Sequence, residues 1–500
     1  MSPAPDPVFR GDCRRHRDRA PERTISGALC SLLLAVVASL GLAGRGVAQS
    51  SEQSPVASAL DVGQSVVTLV GPWRFHIGDD ARWADPAFDD ARWETVDLTA
   101  PPGAHDGDVG LSGYVPGWGA HGHAGYSGYA WYRLRIVVHA RPGTELALAG
   151  PPSVDDAYQI FLNGRLLGGN GDFTHASPTG SPTAYSVRPR FFALPSQIGT
   201  GTPTLIAFRV WRGPWSLADP AGGGVRIAPQ FGARAEVAAR YKLQWLQTFD
   251  GYIVEVVEAL LFVLLASMGL VVRLFDKSNR VYSWFAAALV LTAGYRANQA
   301  FFFWAQYETV HDFELFVVVL LIPAILAFWL LSWRAWFGST RRAWVPGAVG
   351  ALASTYALAE FLTRSWFHGT FPHTVGVVCA ATIQSVRFLL LLLLALIVHD
   401  GIRERGREGW YALPAVLSIA TGLFAQELSS LHVRGIWFPF GVGVSRTQYA
   451  YAVFDALLAG LFLRRLQGYA RDATNAAFGH FGSITPSALD WPRLGRTSQV

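Results

Sequence analysis

The chain has little cysteine and almost no lysine. Its 500 residues hold three cysteines, Cys13, Cys30 and Cys379. Residues 49–235 therefore have no disulfide, and a packed core must hold any domain there. Of the 41 Lys and Arg residues, only Lys242 and Lys277 are lysine. The last apolar run has no lysine, which excludes a retinal Schiff base. Several catalytic signatures are also absent. GLSGY and GYSGY lack the closing glycine of a G-x-S-x-G elbow, no H-E-x-x-H occurs, and no glycine-rich phosphate loop carries its lysine. His311, His368, His373, His399 and His432 fall at the ends of apolar runs or in loops, not inside them as a bundle zinc site would need. No catalytic residue, metal or cofactor is expected. The net charge of +5 gives no reason to expect a nucleic-acid partner. Much of it lies in a basic start and in short loops.

Long apolar runs are abundant. The mean hydropathy of +0.25 averages a polar half and a very apolar half. Seven runs lie near 251–273, 281–303, 311–332, 344–365, 374–399, 409–431 and 447–465. Each has about the 20 residues that cross a bilayer. Hydrocarbon offers no partner to backbone amides, so each run is expected to be helical. The expectation is a seven-helix transmembrane domain over 236–466. The loops after the first, third, fifth and seventh runs are arginine-rich, with Arg273 and Arg280, Arg334, Arg341 and Arg342, Arg403, Arg405 and Arg407, and Arg464, Arg465 and Arg471. Alternate loops are poorer. Basic residues stay in the cytoplasm. The N-terminal half is then expected outside a bacterial inner membrane, with a short cytoplasmic tail at 467–500.

Residues 1–48 read as an export signal: a basic start, the apolar Gly27–Ala43 stretch and small residues at Gly46-Val47-Ala48. An uncleaved anchor is the alternative. Residues 49–60 are a polar linker. From 61 to 235 short runs of Val, Ile, Tyr, Phe and Trp alternate with polar residues between Gly and Pro. Trp131–Val138 alternates as a half-buried strand does. Tyr158–Leu162 leads into Asn163-Gly164, a pair suited to a tight hairpin. The expected fold is an all-β two-sheet sandwich or jelly roll outside the cytoplasm.

The order of Gly71-Pro72-Trp73-Arg74-Phe75, GDDARWADPAFDDARWETVDL, AWYRLRI, DDAYQIFLNGRLLGG and LIAFRVW carries a resemblance. It resembles the noncatalytic, galactose-binding-like jelly roll of the β-galactosidase and β-glucuronidase hydrolases, over most of residues 65–215. The resemblance implies a jelly roll and a carbohydrate among the expected ligands. The catalytic barrel of those hydrolases is missing, so its acids are not carried over. A jelly roll, seven helices and a cytoplasmic C-terminus together resemble the bacterial seven-transmembrane receptors with diverse intracellular signalling modules. In that group a phosphatase, cyclase or kinase usually follows the helices. Only about 35 residues follow Arg465 here, and no such motif fits. The output is then expected on a cytoplasmic signalling partner, or the chain is a truncated relative.

Candidate site residues fall in two places. In the outer domain, Trp118, Tyr126 and Tyr129 lie in the glycine-rich GYVPGWGAHGHAGYSGY run, and Trp211 and Trp215 flank Gly213-Pro214. These aromatics are candidates for stacking on a sugar ring; packing in the core is the alternative, which Trp73 and Trp131 are expected to take. His121 and His123 lack a third metal ligand. Asp155-Asp156 suits a strand-entry turn better than a calcium site.

Ionisable residues at membrane depth are functional candidates by default. Glu255 and Glu258 share a face of the first run. Arg296, Asn298 and Gln299 lie in the second, Glu360 in the fourth, and Gln426 and Glu427 in the sixth. Together they suggest an outer-leaflet polar cluster, with Arg296 neutralising one of the glutamates. The alternative is interfacial snorkelling. Arg387 and Asp455 lie deeper and are expected to pair, as a clamp or as a switch contact. The functional expectation is an envelope sensor that binds a small carbohydrate or metabolite and relays the signal through the bilayer. A membrane-embedded enzyme or transporter using the polar cluster, or a non-signalling envelope module, stays open.

Overall fold

Alternation in the first half produces thirteen described strands, and apolar runs in the second half produce eight described helices. A computed structural model describes residues 58–62, 66–106, 110–174, 181–195, 198, 201–213, 221–275, 277, 280–364, 373–430 and 446–482. These all fall within one unit, Pro55–Val500. The expected signal at 1–48 and the last 18 residues of the expected tail, 483–500, lie outside the described residues.

The strands are β1 Ser58–Val62, β2 Val67–Thr68, β3 Trp73–Ile77, β4 Glu94–Val96, β5 Gly128–Ala140, β6 Leu146–Ala149, β7 Val154–Asp155, β8 Ala157–Leu162, β9 Arg165–Asn170, β10 Phe191–Ala193, β11 Pro203–Arg212, β12 Gly224–Val225 and β13 Gln230–Ala233. One sheet runs β4-β3-β5-β11-β8-β9, with β1 parallel to the second half of β5. The other runs β10-β6-β13-β2, and β7 pairs β12 separately. Residues 58–60, assigned to a linker, thus begin a strand. Asn163 and Gly164 take positive φ (49° and 83°) in the hairpin between β8 and β9, as that pair permits.

The long strand β5 shows how the core forms. Ala130, Tyr132, Leu134, Ile136 and Val138 join Trp73, Phe75, Tyr158 and Phe208 from the large sheet and Leu148 and Phe231 from the small one. Alternate residues leave the core for the opposite face. There Trp131 packs with Ala84, Trp93, Leu205 and Ala207 beneath the 79–93 segment. Arg133 is fully buried on that face. Its Nε donates to Asp90 at 2.7 Å, and its Nη atoms donate to the carbonyls of Trp83, Asp85 and Phe88. Arg135 closes on the same Asp90 at 2.7 Å. Two guanidiniums thus hold a loop that no disulfide staples, and burial pulls the Arg133 pKa down.

The helices are α1 Arg234–Phe275, α2 Val281–Ala305, α3 Val310–Phe337, α4 Val345–Leu362, α5 His373–Arg405, α6 Arg407–Leu423, α7 Ala425–Ser430 and α8 Arg446–Gly482. Four of them, α1, α3, α4 and α5, are long and apolar enough to cross a membrane by length and composition. Leu260, Leu264, Leu320, Leu358, Val378, Leu417 and Val453 are exposed on helices of the bundle. So much exposed apolar surface suits lipid better than water. Inside, Phe285, Trp329, Trp333, Phe454 and Phe462 form an aromatic core. Trp329 donates its indole N–H to Thr292 at 2.9 Å.

Two helices depart from the apolar runs. α1 begins at Arg234, seventeen residues before the first run, and follows β13 directly. The sixth run breaks at Phe424 (φ −116°, ψ 29°) into α6 and α7. Arg387 donates to the Leu423 carbonyl at that break. A π-helical segment, Glu314–Leu321, lies inside α3.

Candidate functional site

The β domain grips the helices through the segment just before β10. Ser186 Oγ donates to the Phe302 carbonyl at 2.7 Å, and Arg188 Nη1 donates to the Trp304 carbonyl at 2.6 Å. Gln306, just past the end of α2, donates to Asn170 Oδ1 at 2.9 Å and to the Ser186 carbonyl at 2.8 Å. The Val310 N–H donates to the Ala184 carbonyl at 2.9 Å. Apolar contacts reinforce this latch: Leu111 and Ile227 pack with Tyr252 and Ala300. The β domain therefore sits on the end of the bundle where α2 meets α3.

Buried charges lie in the neighbouring part of the bundle. Arg296 pairs with both Glu255 (3.1 Å) and Glu258 (2.7 Å), not with a single glutamate. The i, i+3 spacing sets both carboxylates on one face of α1. Its guanidinium also lies 5.2 Å from the Tyr451 ring centroid on α8. A second group spans α3, α4, α5 and α7. Arg364 pairs with Glu314 at 2.8 Å and with Glu360. Arg387 pairs with Glu427 through Nε and, at 2.9 Å, through Nη2. It also donates to Tyr356 Oη at 3.1 Å.

The expected Arg387–Asp455 pair does not form. Arg387 is spent on Glu427, which is wholly buried. Asp455 is 6% exposed, and neither carboxylate oxygen has a hydrogen-bond partner. The pairing follows the order of helices around the bundle: α5 packs on α6, while α8 packs on α1 and α6. The single expected cluster also divides. Asn298 turns to the α2–α3 connection, where it donates to Glu308 at 2.9 Å and accepts from Tyr307. Gln299 Oε1 is buried without a partner. The side chain of Gln426 lies outside the described residues. Sequence reasoning missed Glu314, Arg364 as a partner, Tyr356 and Tyr451. Glu314 at the start of the third run and Arg364 at the end of the fourth offered a signal for one pair.

Among the described outer-domain aromatics, Trp118 and Trp211 are buried in the core rather than open to a ligand. Trp118 is 2% exposed and packs on Phe75 and Tyr126. Its indole fills space left by Gly223 and Gly224, where a Cβ would lie 2.3 and 2.8 Å from the ring. Trp211 is buried with Ala157 and Ala184. Tyr126 is half-buried and donates its hydroxyl to the Tyr129 carbonyl at 2.8 Å. Tyr129 lies under the Arg209 guanidinium, 4.2 Å away. Burial raises the pKa of both tyrosines. Trp215 lies outside the described residues. The stacking assignment therefore fails for Trp118, where Gly223 and Gly224 make room for core packing, and for Trp211, which packs with Ala157 and Ala184. Trp73 and Trp131 are buried as expected.

His123 meets Glu94 at 3.0 Å. Asp155 and Asp156 hold backbone: Asp155 accepts from Gly223 N at 2.6 Å and Asp156 from Gly213 N at 2.7 Å. Desolvation, with the Asp155 charge second, pushes the Asp156 carboxyl up to about 8. Among the described residues no group of three His, Cys, Asp or Glu side chains could hold a metal.

No family model matches the chain, and no curated protein matches it. Similar solved structures include Bacteroides uniformis beta-glucuronidase 2 at 20% identity and TM-score 0.24, covering 33% of this chain and 17% of that one. A glycosyl hydrolase family 2 member from Bacteroides cellulosilyticus is 18% identical with TM-score 0.23, covering 33% and 20%. Bifidobacterium dentium beta-glucuronidase is 15% identical with TM-score 0.23, covering 36% and 32%. The chain spans between about a sixth and a third of the length of these enzymes.

Proposed function

We propose that the chain is a multi-pass sensor of a bacterial inner membrane. Its β domain, a jelly roll, faces outward, seven helical passes cross the bilayer, and the far end of α8 faces the cytoplasm. A small ligand, with carbohydrates among the candidates, acts on the outer domain, and a cytoplasmic partner reads the bundle. The carrying observation is the latch from Ser186, Arg188 and Gln306 to the α2–α3 end. It fixes the β domain to the helices whose buried charges lie next to it. A relay needs a bistable element that both sites bias, and the Arg296, Arg364 and Arg387 groups are the proposed element.

A cysteine-accessibility experiment tests this in intact cells. Gly468→Cys has open space for a Cβ, and Cys379→Ala removes the native buried thiol. Labelling at 468 should require membrane permeabilisation. In inverted vesicles, Ser186→Ala with Gln306→Ala should change its rate severalfold. Labelling of intact cells, or an unchanged rate, would remove the support for topology or for coupling respectively. The unpartnered Asp455 carboxyl favours, as a second reading, a bundle that translocates an ion.

A further inference from the structure

Among the described residues, Asp455 stands outside the Arg296, Arg364 and Arg387 ion pairs. It is 6% exposed, and neither of its carboxylate oxygens has a hydrogen-bond partner. It lies nine residues past Arg446 on α8 and ten before Arg465, about 14 Å and about 15 Å of helix rise respectively. In the proposed seven-pass arrangement that is near mid-depth, where an ionisable group is costly and marks function.

The buried face of α8 sets its surroundings. Gln448, Tyr451 and Asp455 follow at helical spacing, so they share one stripe, and all three are buried. Gln448 donates to the Gly251 carbonyl at 3.4 Å. Tyr451 lies beside Arg296, which holds Glu255 and Glu258. Toward the other end the stripe turns apolar, with Leu458 and Phe462 wholly buried. Polar groups thus lead to Asp455 from the latch side. From α1 the Glu258 carboxylate acts on it, and Phe262 packs on both Tyr451 and Phe454. From α2 come Arg296 and Tyr295, whose ring centroid lies 6.0 Å from that guanidinium. α3 contributes Trp329, which is not ionisable, against Phe454. α6 has no ionisable residue between Ala412 and Leu423, and Glu427 of α7 is spent on Arg387.

A buried carboxylate without a partner is costly, and a bound cation removes that cost. A metal cation needs a shell of several ligands, and among the described residues no group of three His, Cys, Asp or Glu side chains could hold one. A proton needs the carboxylate alone. We propose that Asp455 is a proton-binding site of the bundle, exchanging with the latch side. With the proton bound, Arg296 is left to Glu255 and Glu258. With the proton released, a new negative charge acts against Glu258 and so on the Arg296 group. Proton occupancy therefore biases the same buried charges that the relay would use. The site builds on the ion reading of Asp455 but requires no flux, so binding and translocation can fail separately. It uses none of the latch residues, so the sensor reading stands or falls on its own test.

The test is infrared difference spectroscopy of the full chain in lipid nanodiscs, with the aspartate carboxyls isotopically labelled to separate them from glutamate. Asp156→Asn is present throughout, because that carboxyl, raised to about 8, titrates in the same window. One labelled carbonyl band of a protonated acid should lose intensity severalfold between about pH 5 and about pH 9. Asp455→Asn should abolish that band. Asp400→Asn, at an acid paired with Arg342, should leave it. Thermal midpoints check folding, and if Asp455→Asn does not fold, Asp455→Glu should likewise remove the band from the labelled set. In sealed vesicles sorted for an accessible β domain, the band should follow the external pH. No Asp455-dependent band at any pH, or one that never changes with pH, overturns the proposal. A band that follows the internal pH overturns exchange with the latch side. Loss of the band when sodium chloride replaces choline chloride at fixed pH overturns the proton as the ligand.

Discussion

Glu427→Gln should destabilise the chain far more than Asp455→Asn, although both remove a buried acid from the bundle. Arg387 makes two bonds to Glu427, one to Tyr356 and one to the Leu423 carbonyl. Removing the carboxylate charge leaves a buried guanidinium with only neutral partners, which typically costs about 3–5 kcal/mol. The amide that replaces the carboxylate still accepts one bond, so about 3 kcal/mol is expected. Asp455 has no hydrogen-bond partner to lose, so Asp455→Asn should be neutral or stabilising. The assay is denaturant unfolding of the purified full chain in mixed micelles, extended to double-mutant cycles with Arg387→Met. Coupling between 387 and 427 should exceed about 1.5 kcal/mol, while coupling between 387 and 455 should stay within about 0.5 kcal/mol. Equal destabilisation by the two single variants, or strong 387–455 coupling, would refute the pairing described above.

Three further outcomes are expected. Asp90→Asn should cost about 3 kcal/mol in the β domain by stranding Arg133, read as a lower unfolding midpoint of the full chain and faster proteolysis of the 79–93 loop. Gly223→Ala should be strongly destabilising, because φ is +106° and the added carbon would lie 2.3 Å from the Trp118 ring; quenching of tryptophan fluorescence by acrylamide should rise. Asp156 carries a carboxyl raised to about 8, so its contribution is fully present below about pH 4 and is lost as pH rises through 8. Asp156→Asn keeps the acceptor for Gly213, so midpoints should match wild type near pH 4 and exceed it increasingly toward pH 9.

The long helices were legible because hydrocarbon needs unbroken apolar runs, which no turn chemistry can imitate. The extension of α1 back to Arg234 was not, since Arg240, Lys242 and Asp250 interrupt its apolar residues and keep 234–250 below the apolar density of a bilayer run. Glu255, Glu258 and Arg296 were legible together because helical spacing sets two of them on one face. The partner of Arg387 was not legible. Depth along a helix can be counted, but the order of helices around a bundle cannot, and Glu427 competes with Asp455 for the same arginine. Trp118 misled for a different reason. A glycine-rich run reads as mobile surface, yet here glycines from a distant segment, Gly223 and Gly224, clear space for the indole.

The absence of any joint between β13 and α1 has a mechanical meaning. From Arg234 to Glu255 the helix runs about 30 Å as one shaft, its upper end fixed to β13, a strand paired on both sides by β6 and β2. Such a shaft transmits twist better than push. With side chains about 6 Å from the axis, a turn of roughly 30° sweeps a carboxylate through roughly 3 Å. That is comparable to the separations that join Glu255 and Glu258 to Arg296. Under the proposed relay, the β domain would act as a handle on a cam, and its angle would set which charges are engaged below.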